Sequence, residues 1–282
     1  MQREIVTLTD GRRLDVIQVG EPDGAPVFAF HGTPTGPLGI AGYASAASAA
    51  GVRLICAGRP GYADSSVAEA GISVAVRDSL ALADRLSLPV FAALGISGGG
   101  PYAAALASGA PSQVLALGLL AAVGPGHWDD ADDPERHEEL RLLTLAAEGR
   151  RDEAAAGLRA AVAAEIATLA SLPAGTVPDD VVAAIRDGTK NGYHGYVFDM
   201  FSWGLLPWDV DIAGITCPTF LVYGDSDRAV PPHHGAWYSE QIAHAHLTVV
   251  TGADHGATID TNMAEMLRQL GGFVTDGIPL RR

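Results

Sequence analysis

The sequence is short of cysteine and of positive charge. Its two cysteines, Cys56 and Cys217, lie in separate apolar runs without a Cys-x-x-Cys or zinc-type spacing, so we expect two buried free thiols. Only 18 Lys and Arg residues stand against 33 Asp and Glu, and the formal net charge is -15. Because nucleic acids and anionic membranes attract clustered positive charge, we expect neither as a partner.

Signals for export are also missing. The first six residues lack the basic segment and apolar core of a signal peptide, and no apolar run is expected to reach the length of a membrane span. We therefore expect a cytoplasmic protein. A hydrophobic content of 48% in 282 residues predicts one substantial core with room for an inserted subdomain.

The order of apolar runs predicts an α/β fold. Segments 5–8 and 14–19 flank Asp10-Gly11 and should form an antiparallel hairpin. Short continuous apolar runs then alternate with helical segments, which is typical of a mostly parallel, doubly wound sheet. The predicted buried strands are 27–30, 52–56, 90–94, 115–123, 219–223 and 247–250. The predicted helices include 42–50, 72–88, 234–242 and a last helix that ends near residue 270.

This alternation stops between residues 124 and 211. Helical periodicity in 135–148, 151–171 and 178–190 predicts a helical cap (124–211) inserted in a core domain made of 1–123 and 212–282. The end of the cap is rich in aromatic side chains, which could pack the cap onto the sheet or line an apolar pocket. The candidates for substrate binding among them are Tyr196, Phe198, Phe201 and Trp203.

The stretch from Gly95 to Gly99 reads Gly-Ile-Ser-Gly-Gly and has the form Gly-x-Ser-x-Gly. Chance alone would supply about 0.2 such patterns in a chain this rich in glycine, so the context matters. A buried-strand run precedes the stretch and a run of helix formers follows it. A strand, a sharp turn and a helix would expose the Ser97 hydroxyl near a helix N-terminus, where free N–H groups favour negative charge.

A serine hydroxyl needs a general base and a carboxylate that orients the base. In open parallel sheets such groups lie in loops at the carboxyl ends of strands. Asp227 follows the strand that ends at Tyr223, and His255 follows the strand that ends at Val250. The chain order is therefore Ser97, Asp227, His255.

These motifs, with the His31-Gly32 turn, the 59–65 loop and the Gly224-x-x-Asp227-x-x-Val230-Pro231 loop, resemble the α/β-hydrolase superfamily. Gly-Ile-Ser-Gly-Gly-Gly-Pro-Tyr and His-Gly-Thr-Pro are most similar to the capped proline iminopeptidase and haloperoxidase-like esterase groups. The resemblance implies Ser97 as nucleophile, His255 as base and Asp227 as orienting acid. It also implies an oxyanion hole from the backbone N–H groups of Gly98 and Thr33.

Competing assignments remain at this point. Asp225 is closer to its strand end, but the resemblance places the acid at Asp227, and Asp254 is expected to be a solvated loop residue. His31 is expected to support its loop, and His194 could touch substrate or be packed or solvated. The other histidines are expected at the surface or in the cap: His127, His137, His233, His234, His244 and His246. No metal site is predicted, because no ligand spacing is convincing.

We therefore expect a cofactor-independent serine hydrolase that cleaves an ester-like acyl bond of a small, fairly apolar molecule. The alternatives are a cofactor-free lyase or perhydrolase, an aminopeptidase of the proline iminopeptidase type, and a non-catalytic ligand-binding protein. The aminopeptidase would need a negative cap site for the substrate amine, for which Glu165 and Asp199 are candidates. The sequence leaves the oligomeric state open.

Overall fold

The computed structural model describes residues 1–125 and 134–277, with residues 134–136 described by their backbone only. The strands are β1 (Gln2–Thr7), β2 (Arg13–Gly20), β3 (Ala25–Phe30), β4 (Val52–Ala57), β5 (Phe91–Ile96), β6 (Val114–Leu120), β7 (Thr219–Gly224) and β8 (Ala245–Val250). The α-helices are α1 (Ala44–Ala49), α2 (Ile72–Arg85), α3 (Gly100–Gly109), α4 (Pro134–Ala147), α5 (Arg151–Ser171), α6 (Asp179–Gly188), α7 (His194–Trp203), α8 (His233–Gln241) and α9 (His255–Gly277). Short 3-10 helices span Pro37–Tyr43 and Ser97–Gly99.

The described strands form one eight-stranded sheet in the order β1-β2-β4-β3-β5-β6-β7-β8. The β1–β2 and β2–β4 pairs are antiparallel, and every pair from β4 to β8 is parallel. This confirms the predicted fold class, a mostly parallel sheet with an N-terminal antiparallel hairpin. The parallel strands end at the same edge of the sheet, so the loops after β3, β5, β7 and β8 meet there.

The central strands are apolar throughout because both faces of the sheet are covered. All six residues of β3 and all six of β5 are buried. In β3, Phe28 and Phe30 face the core that α2 and α3 complete, while Val27 and Ala29 face the core completed by α1 and α9. A strand buried on both faces has no polar side to alternate with, which explains the continuous apolar runs in the sequence.

The helices α4 to α7 follow β6 and precede β7, in the segment predicted as a cap. The aromatic-rich end of this segment forms α7, a largely buried helix. The division into a core of 1–123 and 212–282 and a cap of 124–211 stays a prediction. His127, expected at the surface or in the cap, lies outside the described residues.

Three features differ from expectation. A 3-10 helix that begins at Pro37 precedes α1, so only part of the predicted helix 42–50 is α-helical. The last helix, α9, begins at His255 itself and extends beyond the predicted end near residue 270 to Gly277. The expectation that no segment is long and apolar enough to span a membrane is wrong for α5, whose length and composition would allow it to do so. One such helix is weak evidence for a membrane span, and α5 packs against α4 and α7. Both cysteines are buried and free, as expected.

Candidate active site

Ser97 occupies a sharp turn between β5 and α3. Its φ of 52° lies in the left-handed region, where a residue other than glycine is strained. The neighbouring glycines are required by close packing: a Cβ at Gly95 would lie 2.6 Å from Gly100 Cα, and a Cβ at Gly99 would collide with the Phe30 carbonyl. The turn thus holds the Ser97 side chain at the carboxyl edge of the sheet, as the Gly-x-Ser-x-Gly pattern predicts.

The structure brings Ser97, His255 and Asp227 into one hydrogen-bonded chain. The distance from His255 Nε2 to Ser97 Oγ is 3.1 Å, and that from His255 Nδ1 to Asp227 Oδ2 is 2.7 Å. Asp227 is buried, and its Oδ1 accepts hydrogen bonds from the backbone N–H groups of Ala229 and Val230 at 2.9 and 2.8 Å. With the carboxylate facing Nδ1, the neutral imidazole carries its proton there and leaves Nε2 free to accept the serine proton.

The two competing aspartates are held in other hydrogen bonds. Asp225 is exposed, and its Oδ1 accepts a hydrogen bond from Gly252 N–H at 2.7 Å. Asp254 is exposed and its Oδ1 accepts a hydrogen bond from Ala257 N–H at 2.9 Å, so it caps the first turn of α9. Both side chains stabilise the loops around His255 rather than its ring.

The Gly98 and Thr33 backbones lie side by side next to Ser97. A Cβ at Gly98 would collide with Thr33 Oγ1 and would lie 3.5 Å from the Thr33 backbone nitrogen. Any side chain at position 98 would therefore enter the space between these two segments. Both residues line a cavity together with Ser97.

A fully buried ion pair supports the Thr33 loop from behind. Asp199, on α7, accepts hydrogen bonds from Arg59 Nε and a terminal guanidinium nitrogen at 2.7 and 2.6 Å. It also accepts hydrogen bonds from the hydroxyls of Tyr62, Tyr102 and Thr33 at 2.7, 2.8 and 2.5 Å. Burial opposes the charge of Arg59, but the adjacent carboxylate outweighs it and raises the pKa of Arg59. The network ties α7 to the loops after β3 and β4.

His31 belongs to the same supporting structure. Its Nδ1 faces the Gly32 carbonyl oxygen at 2.8 Å, and its Nε2 accepts a hydrogen bond from Arg59 N–H at 3.2 Å. Burial and the nearby guanidinium lower the pKa of His31 well below its usual value, so the ring is neutral. These contacts agree with the predicted role of His31 as a loop-supporting residue.

Replacing Asp199 with alanine is expected to lower the free energy of unfolding by about 3–5 kcal/mol, because it leaves the Arg59 charge buried without its carboxylate. The measurement is urea denaturation followed by circular dichroism. The matched control is Glu138→Ala, which removes an exposed ion pair with Arg141 and should cost less than about 1 kcal/mol. Equal costs for the two variants would contradict the assignment of a buried, charge-paired role to Asp199.

Two cavities of about 380 Å³ each meet at Ser97. The first, which we call the Gly98 cavity, is lined by Ser97, Gly98, Thr33 and residues of α7. The second, which we call the His255 cavity, is lined by Ser97, His255, Thr33 and apolar residues of α6 and α9. Glu165 lines both cavities.

The predicted substrate-binding aromatics divide between two sides of α7. Tyr196 and Trp203 line the Gly98 cavity, seven residues apart on one helix face. Phe198 and Phe201 are not among the described residues around either Ser97 cavity. Phe198 stacks on Tyr102 at a ring distance of 6.3 Å, and Phe201 lines a separate groove. Of the four predicted residues, the structure therefore brings Tyr196 and Trp203 to the cavities at Ser97, and not Phe198 or Phe201.

Several polar groups near Ser97 were not predicted from the sequence. Glu139, Arg228 and His234 line the Gly98 cavity. The expectation that His234 lies at the surface or in the cap is wrong, because it is buried in the first turn of α8 and accepts a hydrogen bond from Gly124 N–H at 2.9 Å. Arg228 directly follows Asp227 in the loop from Gly224 to Pro231, and this position was the available signal that its side chain could lie near Ser97.

The two cap candidates for binding an amine have different positions. Glu165 lines both cavities beside Ser97, whereas Asp199 is fully buried in the Arg59 network. His194 is exposed at the start of α7. Within residues 1–125 and 134–277, no group of three or more His, Cys, Asp or Glu side chains is arranged to hold a metal ion.

Comparison with known proteins identifies the family to which this chain belongs. Residues 25–261 match the family model described as the alpha/beta hydrolase fold. No curated protein matches the sequence at a significant level. Among solved structures, the chain is similar to an alpha/beta hydrolase fold protein from Nakamurella multipartita, with 26% identity and a TM-score of 0.65, over 96% of this chain and 100% of the other.

Two further solved structures share the fold. An esterase from Exiguobacterium antarcticum has 21% identity and a TM-score of 0.69, over 97% of this chain and 100% of the other. A bromoperoxidase from Bacillus anthracis has 19% identity and a TM-score of 0.70, over 98% of this chain and 100% of the other. Because the family model covers most of the chain, the protein belongs to the alpha/beta hydrolase family.

Proposed function

We propose that the protein is a serine hydrolase that cleaves an ester-like acyl bond of a small molecule through an acyl-enzyme on Ser97. The observation that supports this most directly is the hydrogen-bonded chain from Ser97 Oγ through His255 to the buried carboxylate of Asp227. A serine hydroxyl in such a chain has the base and the orienting acid that nucleophilic attack requires.

In the proposed reaction, Ser97 Oγ attacks the substrate carbonyl carbon and its proton passes to His255 Nε2. The carbonyl oxygen becomes an oxyanion, which the backbone N–H groups of Gly98 and Thr33 would bind. His255 then donates its proton to the leaving oxygen, and the acyl group stays on Ser97. The oxygen of a water molecule attacks the acyl carbon as its proton passes to His255 Nε2. The bond from that carbon to Ser97 Oγ then breaks and His255 returns the proton to Oγ, which releases the acid and free Ser97.

Asp227 holds the histidine tautomer throughout and stabilises the imidazolium as it forms. The scheme uses only side chains and backbone groups of this chain together with water. A small-molecule substrate is the partner that the proposal requires, and a cytoplasmic location stays a prediction.

Covalent labelling tests this proposal directly. The folded protein is expected to react with a fluorophosphonate probe at one site, and mass spectrometry of the digested protein should place the adduct on the peptide that contains Ser97. The same protein unfolded in urea should not be labelled, because an isolated serine hydroxyl is a weak nucleophile.

The alternatives give different results when this labelling is combined with turnover assays on esters and aminoacyl anilides. A folded protein that is not labelled at Ser97 would contradict the proposal and favour a non-catalytic binding protein. Labelling without turnover of any ester would favour the lyase or perhydrolase alternative, in which the same three residues act on another substrate. Turnover of aminoacyl anilides in preference to esters would favour the aminopeptidase, with Glu165 as the candidate amine ligand.

A further inference from the structure

We propose that the His255 cavity receives the leaving alcohol of the substrate and the Gly98 cavity receives the acyl group. This assignment rests on the proposed function. It predicts a preference for esters of apolar alcohols over esters of anionic alcohols, with the acyl group meeting side chains of both charge signs.

The first argument is the geometry of proton transfer. In the tetrahedral intermediate, the reacting carbon holds Ser97 Oγ, the oxyanion, the leaving oxygen and the acyl substituent. The leaving oxygen must lie within hydrogen-bond reach of His255 Nε2, because that atom supplies its proton. The leaving group therefore extends into the cavity that His255 lines.

The second argument is the position of the remaining substituent. Gly98 lines the other cavity together with Ser97, whereas His255 is among the described residues of the His255 cavity alone. With the oxyanion directed at the Gly98 and Thr33 backbones, the acyl substituent is left with the space on the side away from His255. That space is the Gly98 cavity, of about 380 Å³.

The surface of the His255 cavity determines which alcohols fit. Its apolar wall includes Leu38, Val181 and Ile259, contributed by the 3-10 helix Pro37–Tyr43, α6 and α9. Besides His255 and the neutral His31, its ionisable groups are carboxylates and the Tyr43 phenol, and its described lining residues include no Lys or Arg. Apolar contact favours a hydrocarbon alcohol, and the carboxylates repel an anionic one.

The Gly98 cavity is chemically different. Tyr196 donates a hydrogen bond to Glu139 there, and the lining also includes Arg228 and His234. Groups of both charge signs can bind polar substituents on an acyl group. The two cavities are similar in volume, but the His255 cavity has the larger share of apolar lining and, among the described lining residues, only the Gly98 cavity carries a cationic side chain, Arg228, so each end of the ester should be selected by a different rule.

The test compares two ester series in wild type and in a variant that fills the His255 cavity. The first series is methyl, butyl and 1-naphthyl acetate, which changes only the alcohol. The second is methyl acetate, methyl butyrate and methyl 1-naphthoate, which changes only the acid. The variant is Val181→Trp, and the control is Ala183→Trp, on the exposed side of the same helix.

We expect Val181→Trp to lower kcat/KM for 1-naphthyl acetate relative to methyl acetate by about 10-fold or more, because the larger ring removes the space for the alcohol. The ratio for methyl 1-naphthoate to methyl acetate should change by less than about 2-fold. Ala183→Trp should change neither ratio. In wild type, phenyl acetate should exceed 4-sulfophenyl acetate in kcat/KM, although sulfonate improves the leaving group.

A change confined to the acid series, equal changes in both series, or no change in either would overturn the cavity assignment. In those cases labelling of Ser97 by the fluorophosphonate would leave the proposed function standing. Absence of labelling and of turnover for every ester would instead overturn the proposed function, and the cavity assignment with it.

Discussion

Replacing Ser97 with alanine is expected to lower kcat for a short p-nitrophenyl ester by about 10⁶-fold, because the variant lacks the atom that forms the acyl-enzyme. The remaining turnover would come from binding and from the Gly98 and Thr33 backbone amides acting on a water molecule. Steady-state rates measured at saturating ester, with the urea midpoint of the variant as a check on folding, provide the test.

The matched control for this serine is Ser226→Ala. The Ser226 hydroxyl is exposed and donates a hydrogen bond to Asp225 at 3.0 Å, in the same loop as Asp227. Its removal should leave kcat within about 2-fold of wild type. If Ser97→Ala kept a tenth or more of the wild-type rate, Ser97 could not be the nucleophile.

Replacing Asp227 with asparagine is expected to lower kcat by about 10⁴-fold while the fold is retained. The asparagine oxygen can still accept the hydrogen bonds from Ala229 and Val230. Its amide nitrogen then faces His255 Nδ1 and donates to it, which moves the ring proton to Nε2. An imidazole that carries its proton on Nε2 cannot take the proton of Ser97.

Asp225→Asn provides the comparison for Asp227→Asn, because Asp225 is the competing carboxylate of the same loop. This exposed side chain bonds to Gly252 N–H, and an asparagine oxygen can keep that bond, so the expected change in kcat is less than about 3-fold. The measurement is kcat of both variants as a function of pH. A larger loss in Asp225→Asn than in Asp227→Asn would reverse the assignment of the acid.

The Ser97 turn was predictable because its determinants are local. The pattern from Gly95 to Gly99 requires glycine where a Cβ would meet Gly100, Phe30 or Thr33, and the flanking runs specify a strand and a helix. The location of Asp227 and His255 was predictable for a related reason, although the choice of Asp227 over Asp225 rested on the family resemblance. Parallel strands end at one edge of a sheet, so residues that follow β7 and β8 are brought to the residue that follows β5.

The buried network could not be predicted in the same way. Asp199 and Arg59 are 140 positions apart, and nothing in the sequence around Asp199 distinguishes a carboxylate that pairs inside the protein from one that faces a substrate. The sequence therefore made Asp199 a candidate for amine binding, and packing of α7 against the core placed it behind the Thr33 loop. His234 shows the same limit, since its burial depends on how α8 meets the segment at Gly124.

The four aromatic residues of α7 illustrate how helix orientation decides function. Their spacing alone leaves open which side of the helix meets the core and which meets a cavity. Docking of α7 directs Tyr196 and Trp203 toward Ser97 and Phe198 toward Tyr102. A rotation of the helix by half a turn would exchange these roles without any change in sequence pattern.

The sequence by itself determined the sheet class, the strained serine turn and the meeting of Ser97, Asp227 and His255 at one edge of the sheet, because each follows from short-range sterics or from strand polarity. The tertiary structure alone decided which charges are buried together, which aromatics reach Ser97 and that two cavities of different lining meet there. Those features arise from contacts between segments far apart in the chain, whose geometry depends on the packing of the whole core. Local patterns therefore predicted the reactive group, and packing between distant segments shaped the space around it.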